Sequence, residues 1–287
     1  MDKRPIRVAA IHSLAGFGRC SLSVILPVLS VMGVQACPVP TAVLSTHTGG
    51  LGEPAIRDLT DFIGPALAHY RRLGVEFESV YTGFLGSEQQ IDLCLAFFDA
   101  YPAALKLVDP VMGDHGRAYK TYTKQMQTRM AELVAAADII TPNMTEAAML
   151  LGREHQNAPY TRDEIKSMLL KLSQKGPKYV VITGANLAEG VTANVAYDKS
   201  SGSFWISAYD QIPVYYPGTG DMYASVLLGA FLTGDSIPVA MDKATGFLEV
   251  SIKTTFSNGG DTRYGVMFEK TIPALSQNLA PNRFRIF

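Results

Sequence analysis

Pro217-Gly218-Thr219-Gly220-Asp221 is the stretch whose residue types and spacing bear most directly on chemistry. Two glycines flank a threonine, an aspartate follows, and the apolar run from Met222 to Leu232 reads as a buried helix. Successive backbone N–H groups at such a turn, backed by a helix N-terminus, form a cavity for an anion. Glycine permits this because a Cβ would hold the backbone away from a phosphoryl group. An aspartate at the mouth of that cavity can take a proton from an attacking hydroxyl. It can instead cap the helix, and the Gly-Thr-Gly-Asp tetrapeptide alone favours the cap.

Other polar residues fall where strands are expected to end. Ile6 to Ile11 reads as a short apolar strand ending at His12-Ser13, and the loop Gly16-Phe17-Gly18-Arg19 leads into a helix from Ser21 to Met32. Strand, small-residue loop and helix open a βαβ unit. The Gly-x-Gly here lacks both the third glycine of a dinucleotide site and a following Gly-Lys-Ser/Thr, so neither reading is adopted. Ser13 taken by itself is a turn residue. Thr41 to Ser45 is the next strand, ending at Thr46-His47-Thr48-Gly49-Gly50. Its hydroxyls and imidazole suit a polar small molecule or a capped turn. No cysteine, histidine or carboxylate stands at ligand spacing from His47, which argues against a metal role. An amphipathic helix is expected from about Glu53 to Leu73. The strand from Phe77 ends at Gly83-Phe84, where Phe84 either covers a ring-shaped substrate or joins the core.

After a helix from Gln89 to Tyr101, the buried strand Leu105 to Val108 ends in Asp109-Pro110-Val111-Met112-Gly113-Asp114. A carboxylate there is costly unless it is paired or holds a metal. Asp114 can face the same cavity across the turn. A helix from Lys124 to Ala137 and a strand from Asp138 to Ile140 lead to Thr141-Pro142-Asn143-Met144-Thr145-Glu146. Glu146 falls in the first turn of a helix, where the dipole favours a carboxylate. It is equally placed to face a hydrated magnesium ion. Thr161 to Glu164 is a capping box opening a helix to Lys175. Strand Tyr179 to Ile182 ends at Thr183-Gly184, and Val191 to Tyr197 and Ser203 to Ala208 alternate like antiparallel strands. A helix from about Ile237 to Phe256 and a turn-rich tail with one helix near Thr271 complete the chain.

Composition bounds the function. The chain has 287 residues, 47% hydrophobic and 18% charged, as expected of a soluble globular protein with a large core. A net charge of -1, with no block of Lys or Arg, argues against nucleic acid and membrane surfaces as partners. The first residues run straight into an apolar strand, so no signal peptide is expected, and no apolar run reaches the length of a membrane span. Cys20, Cys37 and Cys94 lie far apart, which suits reduced thiols in the cytoplasm and no structural zinc. No repeat or linker interrupts the chain, and one domain over residues 1–287 is expected.

In an alternating β/α chain the strand ends converge on one edge of a parallel sheet. Ser13, Thr48, Asp109, Asn143 and Thr183 would meet the glycine turn there. An anion cavity, a base and carboxylates suited to magnesium are the parts of a phosphoryl-transfer site.

Along nearly its whole length the chain resembles the pyridoxal kinases of the ribokinase-like superfamily. The matching marks are Ile11-His12-Ser13, Ser45-Thr46-His47-Thr48-Gly49, Thr82-Gly83-Phe84, Asp109 to Asp114, Thr141-Pro142-Asn143 with Glu146, Val181-Ile182-Thr183 and Gly218 to Asp221. Each is weak; together, in this order and spacing, they are specific. The resemblance implies a single-domain three-layer α/β/α sandwich with a mostly parallel central sheet. It implies phosphorylation of the 5′-hydroxymethyl group of pyridoxal, pyridoxine or pyridoxamine with ATP and Mg²⁺, with room for a monovalent cation. By that similarity Asp221 is the base, and the N–H groups of Gly218, Thr219 and Gly220 are the anion hole. Asp109, Asp114, Thr141, Asn143, Glu146, Thr183 and Gly184 line the ATP side, with Asp109 and Glu146 toward the metal. Ser13, His47, Thr48 and Phe84 surround the pyridine ring. A homodimer is implied, and residues 191–216 would form an edge or flap over the nucleotide.

The chain departs from the family at His12, where glutamine is usual, and at Phe84, where tyrosine is usual. It also lacks the Gly-Asn ending expected within Arg19-Cys20-Ser21-Leu22. All three departures lie on the substrate side and bear on vitamer preference. Two other readings are a hydroxymethylpyrimidine kinase, which would typically carry cysteine where Asp221 stands, and a non-catalytic vitamer- or nucleotide-binding protein, which needs no base.

Overall fold

A computed structural model describes residues 4–119, 122–188, 190–277 and 283–287; residues 1–3, which precede the strand expected from Ile6, lie outside them. The elements in order are β1 (Ile6–Phe17), α1 (Leu22–Val31), β2 (Val34–Thr46), β3 (Ile56–Asp58), α2 (Thr60–Arg72), β4 (Ser79–Thr82) and α3 (Glu88–Ala100). Then come β5 (Leu105–Val108), β6 (Gly113–Asp114), β7 (Arg117–Ala118), α4 (Lys124–Ala136), β8 (Ile139–Ile140), α5 (Met144–Leu150), α6 (Arg162–Ser173) and β9 (Tyr179–Asn186). The chain closes with β10 (Thr192–Asp198), β11 (Ser203–Tyr209), α7 (Thr219–Leu232), α8 (Ile237–Asn258), short 3₁₀ turns and β12 (Arg285–Ile286).

A 10-stranded sheet runs β12-β11-β10-β9-β8-β5-β4-β1-β2-β3. From β9 to β2 every pairing is parallel, while β3, β10, β11 and β12 join antiparallel at the margins. Alternation along the strands loads both faces. Ala9 and Ile11 of β1 enter one core with α2 to α6, and Val8 and Ala10 enter the other with α1, α7 and α8. Helices on both faces of a mostly parallel sheet make the expected α/β/α sandwich.

Several elements differ from the sequence reading. β1 does not stop at His12-Ser13 but runs to Phe17, beside β2. Its pairing with β4 ends at Ile11↔Thr82, so β1 and β2 continue as a ribbon above the strand ends, joined on the outer side of β2 by β3 at Ala42 to Leu44. The register of that ribbon slips between His12 and Leu14. The helix expected from Glu53 is a strand and a turn first. β3 pairs with the free edge of β2, and the Asp58 side chain accepts the Thr60 N–H at 2.8 Å, delaying α2. Edge pairing satisfies backbone groups that a helical turn would leave exposed. In the tail, 3₁₀ turns and β12 replace the single helix near Thr271. The capping box at Thr161 is present, and a second one joins Asn143 to Glu146 at α5. Among the described residues no helix is long and apolar enough to cross a membrane.

Candidate active site

The parallel strands end on one edge, and a cavity of about 240 Å³ opens there. The β1–β2 ribbon walls one side through Ser13, Ala15 and Leu44, and the loop after β2 adds His47, Thr48 and Gly49. Phe84 follows β4, Asp109 ends β5, Thr141 ends β8 and Thr183 lies within β9. Asp114, Asn143 and Glu146 border the same space, as does the turn from Gly218 to Asp221. A second cavity of about 600 Å³ adjoins it, lined by Gly184, Asn194, residues 209–216, Thr245 and α8. Asp114, Asn143, Thr183, Tyr215, Thr219 and Gly220 border both. Each candidate site residue from Ser13 to Asp221 therefore lines one of two cavities that meet at the glycine turn.

The turn is built for close approach. Gly218 has φ +79°, and a Cβ there would stand 1.9 Å from the Arg19 carbonyl oxygen. α7 starts at Thr219, and the first N–H groups of a helix have no acceptor within it. Asp221 lies in that first turn, where the helix dipole favours a carboxylate. It is not the N-cap; Gly218 is. Its Oδ2 instead accepts the Ser21 N–H at 2.7 Å, and its Oδ1 is 2.9 Å from His12 Nε2. The rest of α7 is buried nearly all round, so the turn is anchored in the core.

Ser21 was not among the expected site residues. It sits in the segment that lacks the expected Gly-Asn and takes φ +59°, ψ −141° itself. That region is all but reserved for glycine and costs about 1–3 kcal/mol for other residues. The strain aims its N–H at Asp221, while its hydroxyl meets Ser13 Oγ at 2.9 Å. Backbone strain of this kind leaves no mark on composition or periodicity.

The carboxylates crowd one another. Burial, then the Asp221 charge, pushes the Asp109 carboxyl up to about 8. The Thr141 hydroxyl lies beside it without a well-formed hydrogen bond. Burial, then the Asp109 charge, holds Glu146 well above the usual carboxylate range, although it accepts the N–H groups of Met112 and Asn143. Such a pair suits a hard cation. Among the described residues no three His, Cys, Asp or Glu side chains could hold one by themselves. A cation here would complete its shell with phosphate oxygens and water, as magnesium commonly does.

His47 behaves differently from the expectation. Its Nε2 donates to the Arg263 carbonyl at 2.6 Å and its Nδ1 accepts the Gly49 N–H at 3.0 Å, so both nitrogens are spent on backbone. It lines the cavity with carbon and braces the loop that presents Thr48. Gly184, at φ +68°, donates its N–H to Asn194 Oδ1, and Asn194 Nδ2 reaches Thr245. Arg19 pairs with Glu269 through Nε at 2.7 Å, tying the turn after β1 to the tail. Contacts across such sequence separations carry no local signal. The strands β10 and β11 lie within the sheet, and residues 210–216 border the second cavity.

Residues 26–265 match the family described as phosphomethylpyrimidine kinase. Pyridoxal kinase from Deinococcus radiodurans is 26% identical over 269 residues, covering 89% of each chain. Among solved structures, a putative phosphomethylpyrimidine kinase from Bacteroides thetaiotaomicron, crystallised with pyridoxal, is 38% identical with a TM-score of 0.94, over 99% of this chain and 100% of that one. Pyridoxal kinase from Lactobacillus plantarum is 30% identical with a TM-score of 0.86, over 94% and 96%. The chain belongs to the phosphomethylpyrimidine kinase family and, within it, to the pyridoxal kinases of the ribokinase-like superfamily.

Proposed function

We propose that this kinase transfers the γ-phosphoryl group of ATP to the 5′-hydroxymethyl group of pyridoxal or a related vitamer. One observation carries the reading: Asp221 and the first turn of α7 stand where the two cavities meet. The smaller cavity, with Ser13, Thr48 and Phe84, takes the pyridine ring. The larger, beyond Asn143, Thr183 and Gly184, takes the nucleotide. Asp221 accepts the hydroxyl proton as that oxygen bonds to the γ-phosphorus, and the bond to the ADP oxygen breaks. N–H groups of Gly218, Thr219 and Gly220 stabilise the negative charge spread over the transferring phosphoryl oxygens.

Asp109 and Glu146 would hold Mg²⁺, in part through water, with Asp114 nearby; the ion would neutralise phosphate charge. Thr141 joins this side. A monovalent cation, a homodimer and a cytoplasmic location go with the same reading, and residues 210–216 would cover the nucleotide.

A coupled ADP-release assay with ATP and Mg²⁺ tests it against pyridoxal, pyridoxine, pyridoxamine and hydroxymethylpyrimidine. Turnover on a pyridine vitamer supports the proposal. Turnover on hydroxymethylpyrimidine alone overturns the substrate and keeps the chemistry. Silence on all four, with binding retained, points to a non-catalytic binder.

A further inference from the structure

Two groups from the β1 side converge on the Asp221 carboxylate, and only one of them forms a hydrogen bond. Ser21 N–H holds Oδ2 at 2.7 Å. The other is His12, a buried imidazole lying against Gly83, where a Cβ would be 2.0 Å from its Cδ2. Any other residue at position 83 would displace the ring. The register slip after His12 leaves the Ser13 N–H to donate to His12 Nδ1 at 2.8 Å. A nitrogen that accepts carries no proton, so the neutral ring bears its proton on Nε2. Among the described residues that nitrogen has no hydrogen-bond partner, yet it stands 2.9 Å from Asp221 Oδ1, off the N–H axis. A buried donor left unsatisfied is costly. Catalytic hydrogen bonds are often poorly aligned before the substrate arrives and tighten in the reacting complex.

We propose that His12 is a positioning residue for the phosphoryl transfer: its Nε2–H aligns on Asp221 Oδ1 as the substrate hydroxyl binds, fixing the carboxylate against Ser21. The proposal rests on Asp221 being the base. The local geometry makes the donor obligatory, because Ser13 occupies the other nitrogen.

Two substitutions separate the two ring nitrogens. In His12→Asn the short amide oxygen can still accept the Ser13 N–H, but no donor reaches Asp221. In His12→Gln the longer amide restores that donor. We expect His12→Asn to lower kcat by about 10- to 100-fold with KM little changed, the size of a lost hydrogen bond to a charged group. We expect His12→Gln to recover most of that loss. Equal losses in the two variants, no loss in either, or an effect confined to KM would overturn the proposal. Nitrogen-15 NMR of the wild-type protein gives a reading free of folding effects, since protonated Nδ1 at His12 would also overturn it. Turnover surviving in Asp221→Asn would remove the base itself, and that outcome is distinct from an inert His12.

Discussion

The Asp221 carboxylate is held from one side by backbone that is itself strained, which favours orientation over plasticity. Replacement by asparagine keeps the shape and the Ser21 contact but removes the proton acceptor. Asp221→Asn should therefore lower kcat by about 100- to 10,000-fold while vitamer and ATP still bind, as turnover and calorimetric titration would report. Retained turnover would take Asp221 out of the mechanism. Asp109 makes a different prediction. Its folded carboxyl is pushed up to about 8, first by burial and then by Asp221. The unfolded carboxyl ionises near about pH 4. Between those two values the folded protein keeps a proton that the unfolded chain releases, so stability falls as pH rises through that window. Asp109→Asn should flatten this loss and raise Tm at pH 8.5 relative to wild type, with little effect at pH 4. Thermal melts at the two pH values decide it, and a lower Tm at pH 8.5 would contradict it.

Elements translate these residue demands into backbone. The α7 turn exists because Gly218 alone can take φ +79° with the Arg19 carbonyl so close. Gly218→Ala should destabilise the protein by more than about 1 kcal/mol, the usual cost of a side chain in an incompatible conformation. It should also depress kcat more than KM, because the N–H groups would be displaced from the transferring phosphoryl group. Denaturant melts and steady-state kinetics check both. The anchor behind the turn is apolar: Leu227 is fully buried in α7. Leu227→Ala should cost about 2–5 kcal/mol and lower Tm, with activity surviving at low temperature. Most elements were legible in the residues, since apolar runs, capping boxes and glycine turns are local signals. The β1–β2 ribbon was not. Its residues look like a strand end and a glycine loop, and only pairing with β2 extends the strand to Phe17. β3 was hidden in the same way, because an edge strand of three residues is made by its neighbour.

At the scale of the molecule, helices on both faces seal the sheet and leave the strand ends as its open edge, with two cavities meeting over α7. Because a ligand that binds only the folded state stabilises it, ATP with Mg²⁺ should raise Tm, by an amount equivalent to about 2.7 kcal/mol at 100 times Kd. The rise should be larger at pH 8 than at pH 5, where Asp109 is protonated and a poor metal ligand and burial opposes ionisation of Glu146 in the same direction. A shift independent of pH would argue that these carboxyls do not meet the metal. By itself the sequence determined the alternation of strands and helices, the polar residues at strand ends and the glycine turn with its aspartate. Each depends on chain neighbours and on side-chain type. Only the tertiary structure decided that Asp221 is gripped by Ser21 and faced by His12, that His47 is spent on backbone, and that Arg19 is tied to Glu269. Those contacts join residues as much as 250 positions apart, and their energies exist only once the sheet has brought its strand ends together.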